Sequence, residues 1–228
     1  MRHLLFACLC VVVLSPDVAR ADSSQWPELF REAVTPAEFH TGFQFESIIE
    51  DEKFEEGETL HYVVRQQDEA RTIELISLPA EMQEDREKVI KKLTEGEGQI
   101  WCDDYRDMIG GDVELVAEDD ATSTYSFMIN PDSIEDKTQR KIMKKTMMTL
   151  TINKADKWVT DFKYTLLEPV KPMVVAKVRE FSLIGQCQRQ ENGRPHVSSI
   201  ETRVSGSAMG DDFNQFQRQT VTNVALLD

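Results

Sequence analysis

The side chains able to do chemistry are few, and no spacing gathers them. His40, His61 and His196 are the histidines beyond the N-terminal segment, and they lie far apart. No Cys-x-x-Cys and no His-x-x-x-His spacing accompanies the cysteines, so neither a zinc site nor a dithiol redox centre is written locally. A serine nucleophile on a strained elbow would want Gly-x-Ser-x-Gly. The nearest string, Gly206-Ser207-Ala208-Met209-Gly210, has serine in second place and reads as a loop. Asp103, Asp104 and Asp107 flank Cys102, and Asp211-Asp212 precede Asn214. Neither cluster fits the EF-hand loop, so the readings are a weak surface cation site or solvated turn acids. Carboxylate pairs for glycoside hydrolysis are defined by a separation in space that a sequence does not state. No motif asks for a cofactor.

The cysteines are read through the compartment. Met1-Arg2-His3 is a short positive segment, Leu4 to Leu14 is an apolar run, and Ala19-Arg20-Ala21 supplies a small-residue cleavage pattern. That is the layout of a secretory signal peptide over residues 1–21, cut after Ala21. The run is too short to span a bilayer, which takes ~20 apolar residues. The expected mature chain, residues 22–228, is a single exported domain, periplasmic or secreted and not an integral membrane protein. Cys8 and Cys10 leave with the leader, and Cys102 and Cys187 remain. In an oxidising compartment one remaining pair reads as a disulfide, with two buried free thiols as the alternative.

Composition bounds the partners. The chain has 228 residues, 41 acidic and 26 basic side chains and a net charge of −15. Such acidity argues against a nucleic-acid binder, because phosphate contacts need clustered Lys and Arg. It also disfavours adhesion to an anionic membrane surface. One local exception is the basic run Lys137, Arg140, Lys141, Lys144 and Lys145. It is a solvated helix face or a dock for an acidic partner.

The elements that would position any site are mostly strands. Trp26 to Val34 reads as a short helix with Leu29, Phe30, Ala33 and Val34 on one face. Residues 41–58 read as an acidic, irregular loop or edge. Leu60–Arg65 and Thr72–Ser77 read as strands, and Ala80 to Leu93 as the best helix, acidic first and basic last. Gly96 and Gly98 would end it. Further strands are expected at 113–116, 124–129, 148–153, 158–167, 174–188, 196–205 and 213–224, with a second helix over 134–145. Trp158, Thr160, Phe162 and Tyr164 form one alternating row, opposite Val159, Asp161, Lys163 and Thr165. Absence of a βαβ rhythm argues against a doubly wound parallel sheet. The expected class is α+β: a long antiparallel β-meander forming a curved sheet or half-open barrel, with two or three helices on one face.

Residues about 140–225 resemble periplasmic proteins of the lipoprotein-carrier type, the LolA/LolB-like open barrels. The resemblance rests on Met147-Met148-Thr149-Leu150-Thr151-Ile152 before the turn Asn153 to Asp156, then Trp158-Val159. Gly193-Arg194-Pro195, followed by a strand ending Val204-Ser205-Gly206, adds to it. It implies an open-barrel fold first and a hydrophobic-ligand role second. The cysteine pair and the acidity stand outside that pattern, and no functional residue of the carriers maps onto this chain.

The expected function is therefore a non-enzymatic exported protein that binds an apolar small molecule, lipid or lipoprotein in a curved sheet. Tyr125, Phe127, Trp158 and Phe162 are the candidate lining, and they serve equally as core. The alternatives are an envelope or extracellular hydrolase using cleft carboxylates, and an assembly module pairing through an exposed edge strand around Phe213 to Val224.

Overall fold

The segment Thr146–Asn153 shows why this chain makes a sheet. Thr146, Met148, Leu150 and Ile152 are buried, and the residues between them are partly exposed. A period of two with β-branched and unbranched apolar residues on one side fits a strand wetted on its other face. The computed structural model describes residues 23–36, 42–68, 70–95, 100–189 and 193–227. The expected leader, His40, Gly96 and Gly98 lie outside the described residues.

In chain order the elements are α1 (Glu28–Ala33), β1 (Gly42–Asp51), β2 (Leu60–Gln67), β3 (Ala70–Ser77), α2 (Arg86–Glu95), β4 (Ile109–Glu118) and β5 (Thr122–Ile129). Then come α3 (Lys137–Met143), β6 (Thr146–Asn153), β7 (Trp158–Leu166), β8 (Val170–Met173), β9 (Ala176–Gln188), β10 (His196–Ala208) and β11 (Asp211–Leu226). The strands form one curved, unclosed antiparallel sheet in the order β3-β2-β1-β11-β10-β9-β7-β6-β5-β4, with β8 paired to β9 off that path. This is the expected α+β class with three helices.

Three sequence readings change. Residues 42–51, read as acidic loop, are β1, a strand paired on both sides. Phe45, Ser47 and Ile49 are buried and alternate with Glu46, Ile48 and Glu50, so the acids stand on the wet face and mask a regular alternation. The segment Phe213 to Val224, read as an edge, belongs to β11, which lies between β10 and β1. The edges are β3 and β4, because the last strand joins the first and the chain interrupts its meander after β3. Finally, the aromatic row in β7 is not continuous. Ile152 pairs with Val159 while Thr151 pairs with Asp161, which leaves Thr160 as an extra residue. Such a bulge reverses the alternation, so Val159 and Phe162 both face inward and Trp158, half-buried, does not join them.

From β3 the chain must reach β4 at the opposite edge. A turn of 3-10 helix (Ala80–Asp85), then α2, make the first part of that crossing, with Met82, Val89 and Leu93 buried. The segment 100–108 completes it over the inward face. No helix among the described residues is long and apolar enough to cross a membrane.

Candidate functional site

The concave face carries an aromatic floor. Tyr125 on β5, Leu150 on β6, Phe162 on β7 and Gly185 on β9 are successive cross-strand partners. Phe127, Met148, Tyr164 and Leu183 form the next row. All eight are buried. Gly185 is required here. A Cβ at that position would lie 1.9 Å from Phe162 Cζ, so the phenyl ring occupies the volume that any side chain would need.

Among the described residues, two pieces of chain cover the floor. The first is α1. Phe30 meets Tyr125 edge-on with ring centroids 5.3 Å apart, and Phe127 at 5.7 Å, while Trp26 packs edge-on against Phe30 at 5.7 Å. Helix α1 has only six residues and no side-chain cap. A helix that short does not hold itself in water. Its position rests on those aromatic contacts and on Glu32, whose carboxylate pairs with Lys157 at 2.8 Å.

The second cover is the segment 100–108, which is fastened to the sheet rather than merely packed on it. Val197 N–H donates to Ile100 O at 2.7 Å, and Cys102 N–H to Pro195 O at 2.9 Å. Cys102 and Cys187 form the expected disulfide, closing a separation of 85 residues. Beside it Arg194 Nε donates to both oxygens of Asp103, at 2.8 and 2.9 Å. The two side chains are only 7% and 11% exposed. The Arg194 guanidinium also lies over the Trp101 ring, 4.7 Å from its centroid. Downstream, Tyr105 packs against Phe162 at 6.0 Å, and Tyr164 donates to Met108 sulfur at 3.9 Å.

The titratable groups of this clasp are tuned by burial. Asp104 is held above the ordinary carboxylate range, first by burial; Arg194 opposes the shift, and Asp103 and Asp107 add to it. Burial drives Tyr105 well above its usual phenol value. Burial also pushes His196 below 6.5, opposed by a backbone hydrogen bond to Arg194. Of the acids that sequence reading weighed as cation sites, Asp103 is bonded to Arg194 and Asp212 is paired with Arg179. Among the described residues no group of three or more His, Cys, Asp or Glu is arranged to hold a metal ion. His61 lies elsewhere, bonded to Glu46, which also accepts from Asn223.

Of the four candidate lining residues, three stand on the floor: Tyr125, Phe127 and Phe162. Trp158 stands apart from it at the start of β7. Sequence reading missed Trp26 and Phe30 as covers, although their helix was legible. It missed Arg194 because the Gly193-Arg194-Pro195 string draws attention as a turn, and only folding sets it against Asp103.

Comparison with known proteins adds little. No family model and no curated protein matches the chain. A solved structure described as "Crystal structure of MucB in complex with MucA(peri)" aligns over 91% of this chain and 100% of that one, with 9% identity and a TM-score of 0.18. At that score the likeness is too weak to argue from, and the reading of the site rests on this chain's own geometry.

Proposed function

We propose that this chain is an exported, non-enzymatic binding protein, cleaved after Ala21, that takes an apolar ligand or the acyl part of a lipidated partner onto its concave aromatic floor. One observation carries the reading. The floor is broad, apolar and aromatic, yet one of its two covers is a six-residue helix held by Trp26 and Phe30. An acyl chain lying over Tyr125 and Phe127 would replace the contacts that Phe30 makes there. The other cover, pinned by the disulfide and by Asp103–Arg194, would stay in place as a fixed wall. The carboxylate bonded at that wall, Asp103, is taken up by Arg194, so the arrangement favours holding over hydrolysis.

The test is native mass spectrometry of protein purified without detergent from the export compartment. The expected spectrum shows a bound mass of several hundred daltons that organic solvent releases. Phe30→Ala, which opens space over Tyr125 and Phe127, is expected to raise the loaded fraction. An unloaded mass for both proteins, even after incubation with phospholipid, rejects the reading.

A further inference from the structure

Two adjoining hairpin tips on this molecule set exposed apolar side chains at turn positions. Met173 pairs with Ala176, so the β8–β9 turn is the pair Val174-Val175. Ala208 pairs with Asp211, so the β10–β11 turn is Met209-Gly210. Two-residue turns favour Gly, Asn and Asp, and exposed β-branched or long apolar side chains bring nothing to them. Here Val174 is 100% exposed, Val175 57% and Met209 76%. Met209 also holds a φ of +55°, a conformation that suits Asn or Gly rather than methionine. The string read as a loop, 206–210, is thus strand as far as Ala208, followed by this tight turn. The tips touch: Met209 N–H donates to Val175 O at 2.8 Å. Exposed Met173 extends the apolar point.

Around this point the charge of the molecule changes sign. Helix α3 packs against β8, and Lys141 Nζ donates to Pro172 O at 2.8 Å. Lys137, Lys144, Lys171 and Lys177 are exposed and form no ion pair among the described residues. Residues 135–145, 167–177 and 209–212 carry seven Lys and Arg to five Asp and Glu, whereas the whole chain carries 26 to 41. Asp136 is spent capping α3, accepting from Thr138 and Gln139 N–H, and Glu168 is paired with Lys145.

We propose that the joined tips Val174-Val175 and Met209 insert into the surface of an anionic lipid bilayer, with the surrounding lysines against the headgroups. A protein partner is a poorer fit. Four aliphatic side chains on a convex point offer far less than the ~800 Å² per side of a standard interface. Lipid insertion needs no matching socket, and pairing an apolar anchor with a basic patch is what makes weak membrane signals sufficient. The whole-chain acidity argues against such adhesion; its uneven distribution removes the objection locally. This site is separate from the concave floor, so it stands or falls apart from the ligand reading.

The test is flotation of the purified protein with vesicles of phosphatidylcholine alone and of phosphatidylcholine mixed with phosphatidylglycerol. Wild type is expected to float with the anionic vesicles and to be released by salt. Val174→Ser with Val175→Asn, and Met209→Asn, place turn-compatible residues at exposed positions, so melting temperature holds. Each is expected to weaken flotation about tenfold. Lys171→Gln and Lys177→Gln are each expected to weaken it about fivefold and to flatten the salt dependence. Wild type that stays at the bottom with anionic vesicles at low salt overturns the proposal. Undiminished flotation of the tip variants overturns it too, by assigning binding to α3 alone. A dimer in solution that the tip substitutions dissolve, with no flotation, overturns it in favour of a second copy of the chain.

Discussion

Asp103 and Asp104 are neighbours with opposite roles. Asp103 neutralises a buried guanidinium through two hydrogen bonds. Removing one partner of such a pair leaves an uncompensated buried charge and costs about 3–5 kcal/mol. Asp103→Ala is therefore expected to lower the urea midpoint sharply. Asp104 is held protonation-prone by its burial, so folding carries a cost for its charge at neutral pH. Asp104→Asn is expected to leave stability unchanged or raise it, and equal losses for the two substitutions would contradict this account of the clasp. His196 supplies the pH dependence. Its folded pKa is depressed below 6.5 by burial, so the native state resists protonation. The stability tied to it is complete above 6.5, declines as pH falls through that value, and is fully lost below the depressed folded value. Denaturation at a series of pH values between about 7 and 5 is expected to show a shallower decline for His196→Gln than for wild type. None of these roles was legible in the sequence. Residue types and the acidic cluster were visible, but the partner of Asp103 lies 91 positions away.

Elements were more legible than contacts, because hydrophobic alternation reports which segments are strands. Where the alternation failed, a specific residue interfered. Thr160 shifts the phase of β7, so Trp158, which continuous alternation places with Phe162, stands elsewhere. In β1 the charges drew attention from Phe45, Ser47 and Ile49. The crossing from β3 to β4 depends on its fastening. Closing a loop of this length with a disulfide contributes about 4–5 kcal/mol in the chain-entropy picture. Cys102→Ser with Cys187→Ser is expected to cost about 2–5 kcal/mol, read as a lower melting temperature. The wild-type protein under reducing agent is expected to match the double variant. If reduction leaves the melt untouched, the segment is held by Asp103–Arg194 and its backbone bonds alone.

In space the strands follow one path from β4 through β7, β9, β10 and β11 and on to β1, β2 and β3, with β8 off it, and the chain enters that path in its middle. Its edges are therefore interior parts of the chain. Edge β4 is exposed on both faces over most of its length, with Leu115 and Val116 open to solvent. Glu114, Glu118 and two register shifts discourage a second strand from pairing there. The centre of the sheet depends on β11. A chain ending before Asp211 is expected to lose its cooperative thermal transition, since β1 to β3 then have no strand to dock on. A sharp melt in that truncated protein would show that the two halves fold independently.

The pairing of β1 with β11 also sets a clock. Glu46 meets Asn223 across 177 positions of sequence, so the β1–β2 hairpin, once synthesised, waits with one side unsatisfied for β11. Long-range closure of that kind is slow. For a protein threaded through a translocation channel, as proposed here, delay is an advantage: the sheet stays unassembled while the chain is in transit and locks only when β11 arrives.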